Sequence, residues 1–128
     1  MNDEKIKCIF CNFFERGLKK SQSIFEDDKV LTILNDFPIS EGHTLVILKK
    51  HRDDITTISQ EEASHIGNIV VKIAKCIKRA LKCEYVYVAT LGEKVKHTHF
   101  HLVPRYKNQK RGFEHFLLNR DKIEIQKD

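Results

Sequence analysis

Apolar positions along this chain follow two periods, one of strands and one of a helix. Residues 23–26 and 30–34 are short, largely apolar runs on either side of Asp27-Asp28-Lys29, the pattern of a β-hairpin. Asn35-Asp36-Phe37-Pro38 then interrupts the sheet, because Pro38 has no N–H to give to a ladder. A third strand is predicted at 44–48, after Glu41-Gly42. Beyond it the period lengthens: Ile66, Ile69, Val70, Ile73, Ile77 and Leu81 form one helical stripe, with Lys72, Lys75, Lys78 and Arg79 facing away. Ser59 and Glu62 have the spacing of a capping box at the start of that helix, and the bases near its end suit the helix dipole. Two more strands, 85–91 and 96–103, are separated by Gly92-Glu93-Lys94, with Pro104 stopping the second. The expectation is an α+β fold, an antiparallel sheet of about five strands with one long helix packed on it.

A chain of 128 residues suits one domain, 1–128, and can bury a core without staples. Hydrophobic residues at 41% and charged residues at 32% read as soluble and globular. Met1 is followed by Asn2-Asp3-Glu4-Lys5, with neither a signal peptide nor a long apolar run, so no membrane is expected and the default compartment is the cytoplasm. The net charge of +5 suits a polyanionic ligand. The bases are spread over Lys19-Lys20, Lys49-Lys50, the helix and 105–111, without interleaved aromatics, which makes nucleic acid an unlikely partner.

Two features carry chemistry. Cys8-Ile9-Phe10-Cys11 is a CxxC pair, which without an export signal points to a metal or redox site more than to a structural disulfide. Cys76 and Cys83 read as small apolar packing residues. The second feature is His97-Thr98-His99-Phe100-His101-Leu102-Val103-Pro104-Arg105. Period two puts His97, His99 and His101 on one strand face, with Thr98, Phe100 and Leu102 toward the helix. Neighbouring imidazoles are then roughly 6.6 Å apart along the strand, so two of them can address different atoms of one phosphate. One can attack phosphorus while the next donates a proton. A metal held by all three is awkward, since the outer pair lies about 13 Å apart.

The segment resembles the signature of the histidine-triad (HIT) family, His-φ-His-φ-His-φ-φ with φ hydrophobic, often followed by Pro-Arg. Cys8-Ile9-Phe10-Cys11 is similar to that family's N-terminal cysteine motif. Gly42-His43-Thr44-Leu45-Val46-Ile47, followed by Lys49-Lys50-His51, is similar to its Gly-His-x-Leu-Val-Ile-Pro-Lys-x-His stretch. The resemblance spans most of residues 8–105.

It implies a nucleotide hydrolase working through a nucleotidyl-histidine on His99, with His101 assisting the leaving group and no catalytic cofactor. Candidate substrates are dinucleoside polyphosphates, nucleoside phosphoramidates and adenylates. Passing the nucleotide to phosphate or a sugar phosphate, or nucleotide-binding regulation with incidental turnover, are the alternatives. In the zinc-bearing branch that the chain resembles, Cys8, Cys11, His51 and His97 would hold a structural zinc, making 1–17 a metal-binding segment. Asn35 stands where relatives contact the ribose, although it also reads as a turn residue. The loop before the triad is short, with Glu93 where relatives have Gln, so the phosphate grip would pass to backbone amides around Gly92 and Val95 and to Lys94 or Lys96. A homodimer is implied as well, with the tail 106–128 (Tyr106, Phe113, Phe116, Leu117) reaching the partner or lining the nucleoside pocket. His43, His65 and His115 read as a turn support, a helix residue and a tail residue.

Overall fold

The computed structural model describes residues 8–16 and 23–117; residues 1–7 of the expected metal-binding segment, Lys19-Lys20 and the tail from 118 lie outside them. Five antiparallel strands form one sheet in the order β1-β2-β3-β5-β4: β1 (Ser23–Glu26), β2 (Val30–Leu34), β3 (Thr44–Leu48), β4 (Tyr85–Ala89) and β5 (His99–Arg105). Three helices accompany it: α1 (Ile9–Arg16), α2 (Gln60–Leu81) and α3 (Phe113–Leu117). The β1–β2 turn is tightened by Asp27, whose Oδ1 accepts the N–H groups of Lys29 and Val30 at 2.8 Å each. Its other oxygen lies 2.8 Å from His65 Nε2, which ties the hairpin to α2.

The capping box of α2 is present: Ser59 Oγ accepts the Glu62 N–H, and the Glu62 carboxylate accepts the Ser59 N–H. Lys82 ends the helix in the left-handed conformation. Ile66, Ile69, Ile73 and Ile77 are buried against Val30, Val46, Leu48 and Leu102, while Val70 and Leu81 pack half-buried at the margin. Each fully buried aliphatic side chain of this kind contributes roughly 1.5–3 kcal/mol. Cys83 joins this core, but Cys76 is exposed, because it sits one residue off the apolar stripe.

The opposite face of the sheet is covered too, which the strand pattern does not announce. Leu31 and Ile33 of β2 and Leu45 and Ile47 of β3 pack against Cys8, Phe10 and Cys11 at the start of α1. Eight residues are too few to signal a helix by periodicity, so α1 is a product of this packing. Further along the same face, Phe116 of α3 packs with Tyr87, Ile39 and Val103. The tail is thus partly seated on its own chain, and Tyr106 also packs on the main core. Phe113 alone of these aromatics is strongly exposed, at 86%.

Strand limits differ from the sequence expectation in two places. β4 ends at Ala89, and β5 starts only at His99, leaving residues 90–98 irregular. At its other end β5 runs through Pro104 to Arg105. Proline is tolerated there because the Arg105 carbonyl, not that of Pro104, faces β4, where it accepts the Glu84 N–H. Pro104 therefore faces the β3 side, beyond the last β3 pair, Thr44 with Leu102, where no N–H is needed.

Candidate active site and metal centre

His99 and His101 lie opposite Ile47 and Leu45 of β3, on the face away from α2, while Phe100 and Leu102 point into the α2 core. His97 precedes the strand, yet its ring shares this face and all three imidazoles are buried. The His99 and His101 ring centroids are 5.1 Å apart. The Phe10 ring, 5.0 Å from that of His99 and 5.5 Å from that of His97, covers this part of the face. The Nε2 atoms of His99 and His101 are both buried.

Hydrogen-bond partners fix which nitrogen carries each proton. The carbonyl of His97 lies 2.6 Å from His99 Nδ1. A carbonyl can only accept, so His99 is protonated at Nδ1 and its lone pair is on Nε2. For His101 the determinant is His43, a residue the sequence reading assigned only to a turn. The Ile39 N–H donates to His43 Nδ1 at 3.1 Å, which leaves the His43 proton on Nε2. His43 Nε2 is 2.9 Å from His101 Nδ1 and donates to it. His101 must then carry its own proton on Nε2. The adjacent rings hold opposite tautomers, an acceptor at His99 Nε2 and a donor at His101 Nε2. Burial keeps all of them neutral near pH 7: it pushes His43 down to about 4, His101 to about 2, and His99 below its usual range despite the His97 carbonyl.

His43 is held by the loop between β2 and β3. Asn35 donates its backbone N–H to the His43 carbonyl at 2.9 Å and accepts the Phe37 N–H on Oδ1 at 3.0 Å. Its side chain is buried in this turn, with Nδ2 at 3.5 Å from His43 Nε2. Gly42 closes the loop with φ +93°, beside Leu81 and Pro104. In the 90–98 segment, Gly92 has φ +138°, Glu93, Lys94 and Lys96 are exposed, and Val95 is buried beneath α1. The Val95 carbonyl accepts the His97 N–H at 2.9 Å, so that peptide oxygen is used structurally.

Cys8, Cys11, His51 and His97 converge on one point, their donor atoms all within 4.8 Å of one another. Cys8 Sγ is 3.2 Å from His97 Nδ1, Cys11 Sγ is 3.3 Å from His51 Nδ1, and the two Nδ1 atoms are 3.2 Å apart. A tetrahedral zinc with ordinary bond lengths needs donors about 3.3–3.8 Å apart, and four of the six donor pairs, at 3.2–3.6 Å, lie close to that spacing. The far side of each ring is also arranged for it. His97 Nε2 donates to the Leu48 carbonyl, which turns its Nδ1 lone pair inward, and an Asp53 carboxylate oxygen lies 3.3 Å from His51 Nε2. The Cys11 N–H at the first turn of α1 points at Cys8 Sγ, 3.4 Å away.

An antiparallel α+β sheet carrying alternating histidines beside a Cys2His2 cluster defines a histidine-strand domain. The HIT domain family matches residues 16–108, and the chain belongs to that family. An uncharacterised HIT-like protein of Borreliella burgdorferi is 35% identical over 94% of this chain and 89% of its own length. The crystal structure of a zinc-bound histidine-triad protein from Mycobacterium smegmatis superposes with a TM-score of 0.74 at 29% identity, covering 92% of this chain and 94% of the other. The adenylylsulfatase HINT3 of Arabidopsis thaliana is 30% identical over 77% of this chain, a match covering 52% of that longer protein. Among the described residues, no helix is long and apolar enough to cross a membrane.

Proposed function

We propose that this protein hydrolyses the α-phosphate bond of a nucleotide through a covalent nucleotidyl-histidine on His99. The observation that carries the reading is the opposed tautomer pair. Nucleophilic cleavage needs a lone pair aimed at phosphorus and a proton ready for the departing atom, and His99 Nε2 and His101 Nε2 are set for those two tasks. His99 Nε2 forms the N–P bond as the bond to the leaving group breaks, the His101 Nε2–H donates a hydrogen bond to the leaving atom, and that atom takes its proton from solvent. Water then attacks phosphorus as the N–P bond breaks, gives its proton to solvent, and releases the mononucleotide with His99 restored.

Dinucleoside polyphosphates, phosphoramidates and adenylates share the α-phosphate this requires, and the sulfatase relative acts on an adenylate. Gly92 and Val95 amides and Lys94 would bind the phosphate. Asn35, buried in its turn with its amide nitrogen beside His43 Nε2, would contact the ribose. Cys8, Cys11, His51 and His97 would hold a structural zinc whose four positions they fill, so it adds stability rather than catalysis. A cytoplasmic homodimer completes the proposal, supported by the exposed Tyr85 and Val88 on the edge strand β4 and by Phe113.

The test is a single turnover with an adenosine phosphoramidate, quenched without acid and followed by peptide mass analysis. A one-nucleotide mass gain on the His99 peptide, with turnover abolished in His99→Ala, is the expected result. An adduct elsewhere, or a fully active His99→Ala, overturns it.

A further inference from the structure

The outer face of α2 carries charge that the fold leaves unanswered. Between Glu62 and Glu84 the chain has no acid and five bases, Lys72, Lys75, Lys78, Arg79 and Lys82, all of them exposed. At about 100° per residue they fall within an arc of roughly 120°, opposite the buried Ile66, Ile69, Ile73 and Ile77. The row is about 15 Å long. Among the described residues no ion pair reaches any of the five; the acids of α2, Glu61 and Glu62, sit at its other end, beside Lys29 and Arg52. The row also meets a second basic turn. The Glu84 N–H donates to the Arg105 carbonyl at 2.9 Å, which sets Lys82 near Lys107, and Lys110 and Arg111 follow, likewise exposed. Two acids border this end: Glu84, 3.2 Å from Arg105, and Glu41, whose carbonyl accepts the Tyr106 hydroxyl.

Such a row opposes the helix that carries it. Lys72 with Lys75, Lys75 with Lys78 and Arg79, and Lys82 with Lys78 and Arg79 are like charges three or four residues apart, and each pair disfavours the helix. The helix dipole favours the bases of the last turn, Lys78 and Arg79, but not Lys72 and Lys75. We propose that this ridge of α2 attaches the protein to the surface of an anionic lipid bilayer. Five cations along one side of an amphipathic helix are what anionic headgroups attract. Two features favour lipid over other polyanions. α2 has no Phe, Tyr or Trp and four lysines to one arginine in the row, whereas protein interfaces favour aromatics and arginine, and single-stranded nucleic acid stacks on rings. The row also stands on a convex helix, which has no groove for a duplex, while mobile lipids can gather beneath it. No spanning helix is required, and the isoleucine stripe stays in the core. α2 covers the sheet face opposite His99 and His101, so a bound molecule keeps its histidine face turned from the bilayer.

Attachment of this kind is independent of the hydrolase reading, and vesicle sedimentation tests it directly. The protein should sediment with vesicles of phosphatidylcholine and phosphatidylglycerol in about equal parts, not with phosphatidylcholine alone, and should be released as salt rises. Each base removed should weaken binding about 5-fold, so the triple variant Lys75→Gln, Lys78→Gln, Arg79→Gln should lose about 100-fold. That variant removes like-charge pairs, so its melting temperature should be equal or higher, which separates lost binding from lost folding. The same charge loss made with Lys29→Gln, Lys49→Gln and Lys50→Gln, at the other end of α2, should leave binding within a few-fold of the starting protein.

Cys76 reports the orientation, because it is exposed on α2 beside Lys75 while Cys8, Cys11 and Cys83 are buried. A fluorophore on Cys76 should become shielded from a water-soluble quencher when anionic vesicles are added. One on Glu93→Cys in a Cys76→Ser background, on the exposed 90–98 segment, should stay open to it. Four results overturn the proposal: no sedimentation with anionic vesicles, equal binding to phosphatidylcholine alone, equal losses in the two triple variants, or shielding at residue 93 in place of residue 76. Salt-sensitive binding to a random-sequence duplex without binding to vesicles also overturns it and assigns the ridge to nucleic acid.

Discussion

Replacing His43 by Phe separates the proton-donor argument from ordinary packing. The ring volume is kept, while two hydrogen bonds go: the one from the buried Ile39 N–H and the one to His101 Nδ1. Leaving a buried donor unsatisfied costs about 1–3 kcal/mol of stability, so the variant should fold with a lowered melting point. The catalytic effect differs in kind. Without a donor at Nδ1, His101 is free to place its proton there and present Nε2 as an acceptor, which withdraws the hydrogen-bond donor from the leaving group. One lost donor to the developing charge is worth about 10²- to 10³-fold, or roughly 2.7–4 kcal/mol of barrier. The loss should depend on the substrate. An adenosine phosphoramidate with a poor alkylamine leaving group depends most on that donor and should lose about 10²-fold in kcat, with KM little changed. An adenosine fluorophosphate, whose leaving group departs as an anion, should lose far less. Parallel kcat and KM measurements on the two substrates decide the matter. An equal loss on both, or none on either, refutes the relay through His43.

Folding stability should fall as the pH drops from about 6.5 to about 4. His43 and His101 are held below their ordinary pKa by burial, so in this window the unfolded chain binds protons that the folded chain refuses. Urea midpoints at successive pH values should show this, with a shallower decline in His43→Phe; a flat profile would contradict the burial of these rings. Gly42→Ala should destabilise by about 1–3 kcal/mol, because a Cβ there would lie 2.3 Å from Leu81 Cδ1 at a φ of +93°, and thermal melting checks it. Cys11→Ser should lower both the metal content and the melting temperature, by elemental analysis and calorimetry; unchanged stability in a metal-free protein would count against the zinc reading.

What was legible in the sequence was whatever repeats locally. The Ser59 and Glu62 capping box, the Ile66 to Ile77 stripe and the alternation of His97, His99 and His101 each depend on neighbours a few residues apart, where backbone geometry alone decides which side chains share a face. The resemblance likewise brought Cys8, Cys11, His51 and His97 together as one set, and their donor atoms meet. The proton arrangement had no such local signal. His43 and His101 are separated by 58 positions and meet only because the β2–β3 loop folds over the end of β5, so nothing near His43 in the chain marks it as more than a turn residue. The same holds for Phe10 over His99, for α1, which exists as a helix against the sheet, and for Pro104, which stays in β5 because β3 has already ended. Residue types and periods determined the fold class and the row of histidines. Which nitrogen of each ring is a donor was decided only by tertiary contacts, because a tautomer is set by the partner an imidazole meets in space.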